Sequence, residues 1–179
     1  MTKKTNNLTK IALMAALQCI ISPFAIAFPI SPVPLSLATL MLYLSVYILG
    51  KKHAVISCGI YLLIGLVGIP VFSGFTGGAG KLLGPTGGYL IGYLALVSIG
   101  GWCVEKWSNY FVQGLGLALG TVVCYLFGTL WLTYQAGMGF TVALASGVLP
   151  FVIGDIVKIV VGVAVGNAIR KRLVKAGVV

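Results

Sequence analysis

The chain has 179 residues, of which 59% are hydrophobic and 8% are charged. This composition excludes an ordinary soluble domain and indicates an integral membrane protein, with room for one bundle of about six short helices and no separate catalytic domain. The net charge of +10 does not indicate a nucleic-acid partner, because the basic residues are distributed as a membrane-topology signal.

Six apolar segments are candidate membrane spans, at residues 8–27, 35–49, 54–72, 87–104, 111–132 and 148–169. Basic residues occur at both ends of the chain and in every second connection: Lys3, Lys4, Lys10, Lys51, Lys52, Lys106, Arg170, Lys171, Arg172 and Lys175. The other connections contain Lys81 as their single basic residue. Because short loops rich in lysine and arginine stay in the cytoplasm, both termini are expected there. The sequence therefore predicts an all-α, six-helix transmembrane bundle, with residues 1–179 in one domain embedded in a lipid bilayer.

The first span has a second interpretation. Its basic start and its end in Ala-Ile-Ala at residues 25–27 also fit a cleavable secretory signal. Five further spans follow, and Pro29 lies just past the cleavage position, which favours a retained helix. Within it, Ala12 and Ala16 form a small-xxx-small pair on which another helix can pack closely. The pattern leaves open whether that helix belongs to the same bundle or to a partner.

Two external segments are candidates for covering a binding site. Residues 28–34 contain alternating prolines, which predict a stiff connector. Residues 72–86 form a glycine-rich loop in which main-chain N–H groups can approach a ligand, with a flexible linker as the alternative. The Gly-Ala-Gly-Lys at 78–81 does not predict a nucleotide site, because Phe75 and Leu82 break the phosphate-loop pattern.

The last apolar segment contains an acid and a base, Asp155 and Lys158. A helix that enters the membrane near its first residues places them about 10 and 15 Å deep in a hydrocarbon layer of ~30 Å. Each charge costs on the order of 2.5–3.5 kcal/mol at such depth, so both must face a partner or a polar cavity. Their i, i+3 spacing puts them on one helix face, which continues through Gly162 and Gly166 as a predicted packing surface.

The acid and base have three interpretations. They can bind a small polar or anionic solute that enters from outside. They can form a buried ion pair that only orients the bundle. Alternatively, Asp155 can titrate in a self-sufficient ion-coupled carrier, because carboxylates at membrane depth commonly serve proton relays.

No pattern typical of an enzyme, a metal site or a cofactor site occurs in the sequence. The single histidine, His53, lies beside two lysines in a predicted cytoplasmic turn. The spans contain no carboxylate pair and no serine with an adjacent base. The cysteines are isolated in apolar spans, which predicts small buried side chains: Cys19, Cys58, Cys103 and Cys124. We therefore expect no catalytic residues, no metal and no cofactor.

Four segments together resemble the BioY family, the biotin-specific S components of energy-coupling-factor (ECF) transporters. They are Ala12-x-x-x-Ala16, Pro32-Val33-Pro34, Gly84-Pro85-Thr86-Gly87-Gly88-Tyr89 and Gly154-Asp155-x-x-Lys158. The last two are specific when they occur together. One departure is that Ser36 and Ala38 stand where the family commonly has threonine and glutamine, which weakens the expectation of a polar ligand contact at the start of the second helix.

The resemblance implies a prokaryotic cell-membrane protein that captures biotin from outside. In this family the energy for uptake is supplied through a transmembrane scaffold subunit and two cytoplasmic ATPases. The implied ureido-ring contacts are Asp155 and Lys158. The implied loop and wall contacts, drawn from the outer loop and the helix that follows it, are Thr76, Gly77, Gly78, Thr86 and Tyr89. Ala12 and Ala16 are expected to pack against the scaffold, and Lys81 or loop N–H groups are candidate partners of the ligand carboxylate.

Overall fold

The computed structural model describes residues 3–26 and 35–177. This part of the chain is almost entirely helical. In chain order its elements are α1 (Lys3–Ile21), β1 (Ala25–Ile26), β2 (Leu35–Ser36), α2 (Ala38–Leu66), α3 (Ala79–Leu83), α4 (Gly87–Lys106), α5 (Tyr110–Ala136), α6 (Phe140–Gly147) and α7 (Leu149–Lys175). The two short strands pair antiparallel, with Ala25 opposite Ser36. The predicted proline-rich connector, 28–34, lies outside the described residues.

Four of the described helices are long and apolar enough to cross a membrane: α2, α4, α5 and α7. Large apolar side chains cover their outer faces, as at Leu119 and Leu130 of α5 and Ile153 and Val160 of α7. Exposed leucine, isoleucine and valine in such numbers suit a surface that faces lipid rather than water. The predicted all-α membrane class is therefore confirmed, while the count of six spans stays a prediction.

The predicted second and third spans form one element, α2, which is interrupted at Gly50. Gly50 has φ 74° and ψ 170°, a left-handed conformation that residues with a Cβ rarely adopt. The backbone N–H of Lys51 donates to Glu105 Oε1 of α4 at 2.6 Å. A Cβ on Gly50 would lie 2.6 Å from the same oxygen. A glycine and a carboxylate thus fix the turn between the two halves of α2.

Replacing Gly50 tests this turn. We expect Gly50→Ala to lower the free energy of unfolding by about 1–2 kcal/mol, because alanine disfavours a left-handed backbone. Gly59→Ala is the matched control on the same helix, since a Cβ there meets nothing within 4 Å. Thermal unfolding of the two purified variants in detergent measures the difference. Equal stability of both variants would contradict a requirement for glycine at the turn.

Small residues let the helices approach closely along two contacts. Between α4 and α5, a Cβ on Gly92 would lie 2.9 Å from the Cα of Cys124, and one on Gly128 would lie 2.2 Å from the Tyr89 ring. Between α7 and α2, Cβ atoms on Gly162 and Gly166 would meet the rings of Tyr43 and Tyr47. The predicted packing surface of α7, which continues from the acid and base through Gly162 and Gly166, therefore packs against α2. These two contacts bring α4 close to α5 and α7 close to α2.

The glycine-rich loop is folded rather than a flexible linker. Phe72 and Thr76 form a β-bridge, and α3 occupies residues 79–83. The backbone N–H of Gly78 donates to Gly65 O at 2.7 Å, and a Cβ on Gly77 would lie 2.3 Å from Ile69 O. Gly77 is therefore required by the close approach of two backbone segments.

Candidate functional site

The acid and base of α7 are both buried. Asp155 is 5% exposed and Lys158 is 9% exposed, and Lys158 Nζ lies 2.9 Å from Asp155 Oδ1. Neither side chain faces the exposed outer surface of the helix. The cost of desolvating two charges in this position is offset only if their remaining hydrogen-bonding capacity is satisfied by neighbouring groups.

Lys158 finds an acceptor for each of its three protons. Besides Asp155 Oδ1, its ammonium donates to the backbone oxygen of Ser36 at 2.7 Å and to the Thr39 hydroxyl at 3.1 Å. Ser36 ends β2, and Thr39 lies in the first turn of α2. The start of α2 is therefore placed against the centre of α7 by charge-assisted hydrogen bonds, which are roughly twice as strong as neutral ones.

Asp155 accepts hydrogen bonds from three side chains. Oδ1 accepts from Lys158 and from the Thr39 hydroxyl, the latter at 3.2 Å. Oδ2 accepts a short hydrogen bond from the hydroxyl of Tyr125 on α5. These three hydrogen bonds satisfy much of the accepting capacity of a carboxylate in an apolar bundle, where an unpaired carboxylate would be very unfavourable.

A cavity of about 50 Å³ adjoins this cluster. Its walls combine aromatic rings with a few polar groups, which is typical of sites for small molecules. The described lining residues are Ser36, Thr39, Tyr89, Tyr93, Thr121, Cys124, Tyr125, Gly147, Phe151, Asp155 and Lys158. The space is far below the roughly 300–1,000 Å³ of pockets that enclose drug-sized ligands, so a ligand of that size requires side chains to move.

Three of the residues implied by the family resemblance meet at the cavity: Asp155, Lys158 and Tyr89. Tyr89 lies in the first turn of α4, and its hydroxyl donates to the backbone oxygen of Gly147 at 3.0 Å. Its ring occupies the space that the absent side chain of Gly128 leaves open. Tyr89 thus forms part of the cavity wall, and its ring and its hydroxyl are each held in place by a contact.

The other four implied residues do not line the cavity. The Thr76 hydroxyl donates to Ser73 O at 3.0 Å within the glycine-rich loop, and Gly77 and Gly78 pack against the backbone of residues 65–69. Thr86 is 8% exposed, and its hydroxyl has no hydrogen-bond partner in the described part of the chain. Lys81 of α3 is half-buried, and this burial lowers its pKa.

Sequence reasoning missed two polar side chains that contact the acid and base, Thr39 and Tyr125. It also missed the Ser36 backbone oxygen, because main-chain acceptors carry no sequence signal. Tyr125 was detectable in principle, as a hydroxyl in the middle of an apolar span. Thr39 follows the position where the family glutamine is absent, so a polar contact from the start of α2 exists despite that departure.

Among residues 3–26 and 35–177, no group of three or more His, Cys, Asp and Glu side chains could hold a metal ion. The cysteines are free thiols, and Cys124 Sγ lies 3.4 Å from the backbone oxygen of Tyr89. The arrangement offers hydrogen-bond donors, one carboxylate acceptor and aromatic faces, which together suit ligand binding.

The ion pair can be tested as a structural element. We expect Asp155→Leu to destabilise the protein by about 3–5 kcal/mol, because it leaves the Lys158 charge buried without its partner. The double variant Asp155→Leu/Lys158→Met should recover most of that loss, since it removes both charges together. Thermal unfolding in detergent compares the two. A single variant as stable as the double one would contradict the pairing.

Most of the chain, and its fold, match known proteins. The sequence model of the BioY family matches residues 1–175. The chain is 36% identical to the "Probable biotin transporter BioY" of Pyrococcus horikoshii, over 93% of this chain and 98% of that protein. It is 34% identical to the "Biotin transporter BioY2" of Lactococcus lactis, over 95% of this chain and 93% of that protein.

A solved structure, the S-component for biotin from an ECF-type ABC transporter, superposes with a TM-score of 0.88. It shares 32% sequence identity, and the match covers 96% of this chain and 95% of that one. Relatives at this identity and coverage share the fold and the arrangement of its elements. The chain belongs to the BioY family.

Proposed function

We propose that this chain captures biotin at the cavity beside Asp155 and Lys158, as the membrane-embedded S component of an ECF transporter. Its family and its structural neighbour both support biotin uptake. The observation that carries the location is a buried acid and base that share one cavity with aromatic walls. No separate catalytic step is needed, because the chain's task is binding.

The polar groups of the cavity complement a fused ureido ring. Such a ring offers two N–H donors and one carbonyl acceptor. The Asp155 carboxylate can accept an N–H, and the Lys158 ammonium can donate to the carbonyl. Hydrogen bonds to charged groups contribute about 1.5–3 kcal/mol each, so two or three of them account for tight binding of a small molecule. The rings of Tyr89, Tyr93 and Phe151 can pack on its apolar part.

The outer loop is the proposed cover of this site. Thr76, Gly77, Gly78 and Thr86 lie outside the cavity lining, so their proposed role is with the ligand's tail rather than its ring. The tail ends in a carboxylate, and Lys81 of α3 is the cation that this segment offers. Burial lowers the pKa of Lys81, and an anionic partner would raise it again.

Binding by the isolated chain tests this function. We expect purified protein to bind biotin, and Asp155→Asn to raise Kd by roughly 10- to 100-fold, because it replaces charge-assisted hydrogen bonds by neutral ones. Isothermal titration calorimetry measures both. Glu105→Gln is the matched control. Glu105 is the other acidic residue of the chain, and it lies about 24 Å along α4 from Tyr89, where it contacts Lys51. Absence of biotin binding by the unmodified chain would overturn the proposal.

The proposed partners are a transmembrane scaffold subunit and two cytoplasmic ATPases. The chain is proposed to cross the membrane six times, with both termini in the cytoplasm. The cavity is proposed to open to the outside, because the basic residues flank the helix ends on the side away from it. Ala12 and Ala16 are exposed on the outer face of α1, next to the exposed Leu13. A small-residue face that the bundle leaves uncovered is suited to close contact with a partner helix.

Bulky residues on α1 test the partner contact. We expect Ala12→Trp or Ala16→Trp to lower recovery of the chain with its scaffold by about fivefold or more, because close helix contact requires small side chains. Biotin binding by the isolated chain should not change. Val160→Trp is the control, since Val160 is 63% exposed on α7. Co-purification from membranes is the measurement, and full recovery of both alanine variants would exclude this face.

A further inference from the structure

The protein's own groups already use most of the hydrogen-bonding capacity of the acid and base. All three ammonium protons of Lys158 have acceptors, as described above. Asp155 Oδ1 has two donors, and Oδ2 has the Tyr125 hydroxyl. A carboxylate has about four acceptor positions in all, so one position on Oδ2 is left. A ligand can therefore bind Asp155 either at this remaining position or by replacing one of the bonds that now exist.

Tyr125 stands out among these groups because its ring separates two spaces. On one side is the cavity of about 50 Å³ beside Asp155 and Lys158. On the other is an apolar groove of about 300 Å³ between α5, α6 and α7. Residues that line only the groove include Ala118, Val122, Leu126, Val152, Ile156 and Ile159. Both spaces are lined by Thr121, Tyr125 and Asp155, so the Tyr125 side chain forms part of the wall between them.

The groove offers space into which the Tyr125 ring can move. Its lining is almost wholly apolar, which suits the face of an aromatic ring. Movement of the ring into it would break the hydrogen bond to Asp155 Oδ2 and enlarge the small cavity in the same step. Thr39 and Lys158 hold the other carboxylate oxygen, so Asp155 itself is kept in position during this change.

We propose that Tyr125 is a specificity-determining residue that occupies the donor position of the ligand. In the ligand-free protein its hydroxyl donates to Asp155 Oδ2. An N–H of the bound ligand takes over this bond, and the ring moves into the groove. A molecule that lacks a hydrogen-bond donor at this point cannot replace the hydroxyl. The ring then stays in place, and the cavity remains too small for that molecule. This inference rests on the proposed function, because biotin supplies the N–H.

The direction in which biotin affinity changes in one variant tests the proposal. Tyr125→Phe removes the competing donor while it keeps the ring, so we expect Kd for biotin to fall roughly 3- to 10-fold, as for loss of one competing hydrogen bond. The association rate should rise as well. Tyr134→Phe is the matched control, since Tyr134 is 82% exposed on the same helix. Calorimetry and stopped-flow binding provide the two measurements.

Thermal unfolding shows whether the variant is merely damaged. We expect Tyr125→Phe to lower Tm of the ligand-free protein, because Asp155 loses a donor, and to lower it less when biotin is saturating. A second variant tests the proposed movement of the ring by changing the groove. Val152→Phe fills the space into which the ring moves, so it should slow biotin association, whereas Val160→Phe on the exposed side of α7 should not.

The outcomes separate this inference from the function on which it rests. An increase of Kd or no change in Tyr125→Phe would overturn it, because the ligand would then use the remaining position on Oδ2 with Tyr125 still bound. Unchanged association in Val152→Phe would do the same. If the unmodified chain fails to bind biotin, the proposed function falls and this inference falls with it.

Discussion

The contact between Asp155 and Lys158 determines how the helices around the cavity are organised. An ionised pair in an apolar interior is tolerated only when most of its hydrogen-bonding capacity is used. The protein meets this condition with groups from three elements: the Ser36 oxygen from β2, the Thr39 hydroxyl from α2 and the Tyr125 hydroxyl from α5. The requirement to satisfy two charges therefore brings together helices that are far apart in the sequence.

Close helix packing supplies the second condition for the site. Glycines at the contact of α4 with α5 and at that of α7 with α2 leave room for large rings, as where Gly128 faces Tyr89 and Gly162 faces Tyr43. A side chain at such a position would displace a ring that lines or supports the cavity. Because interiors of this density relax little, small residues remote from the ligand can control the shape of its site.

The sequence was informative where a residue type was anomalous for its surroundings. Asp155 and Lys158 could be predicted as a site because charges in an apolar span demand an explanation. Thr39 and Tyr125 were not predicted, since hydroxyls are ordinary in membrane helices and their direction depends on how each helix is rotated in the bundle. Of the two, Tyr125 had the stronger signal, because its hydroxyl lies in the middle of an apolar span. The turn at Gly50 was predicted from the basic residues beside it, but its carboxylate support from Glu105 was not, because that contact joins α2 to α4. Glycines 77 and 78 show a further limit, since the same residue type permits close approach of a ligand and of another backbone.

Ser36 contacts two parts of the structure at once. Its backbone oxygen accepts from Lys158, and its hydroxyl donates to the backbone oxygen of Ser22, just after α1, at 2.7 Å. The hydroxyl also accepts from the backbone N–H of Ala38 at 3.0 Å, which ties it to the start of α2. The acceptor that orients the lysine is thus held in advance by neighbours on either side. A ligand that contacts this pre-aligned cation does not have to reorient it, so this one contact forms with little cost in conformational free energy.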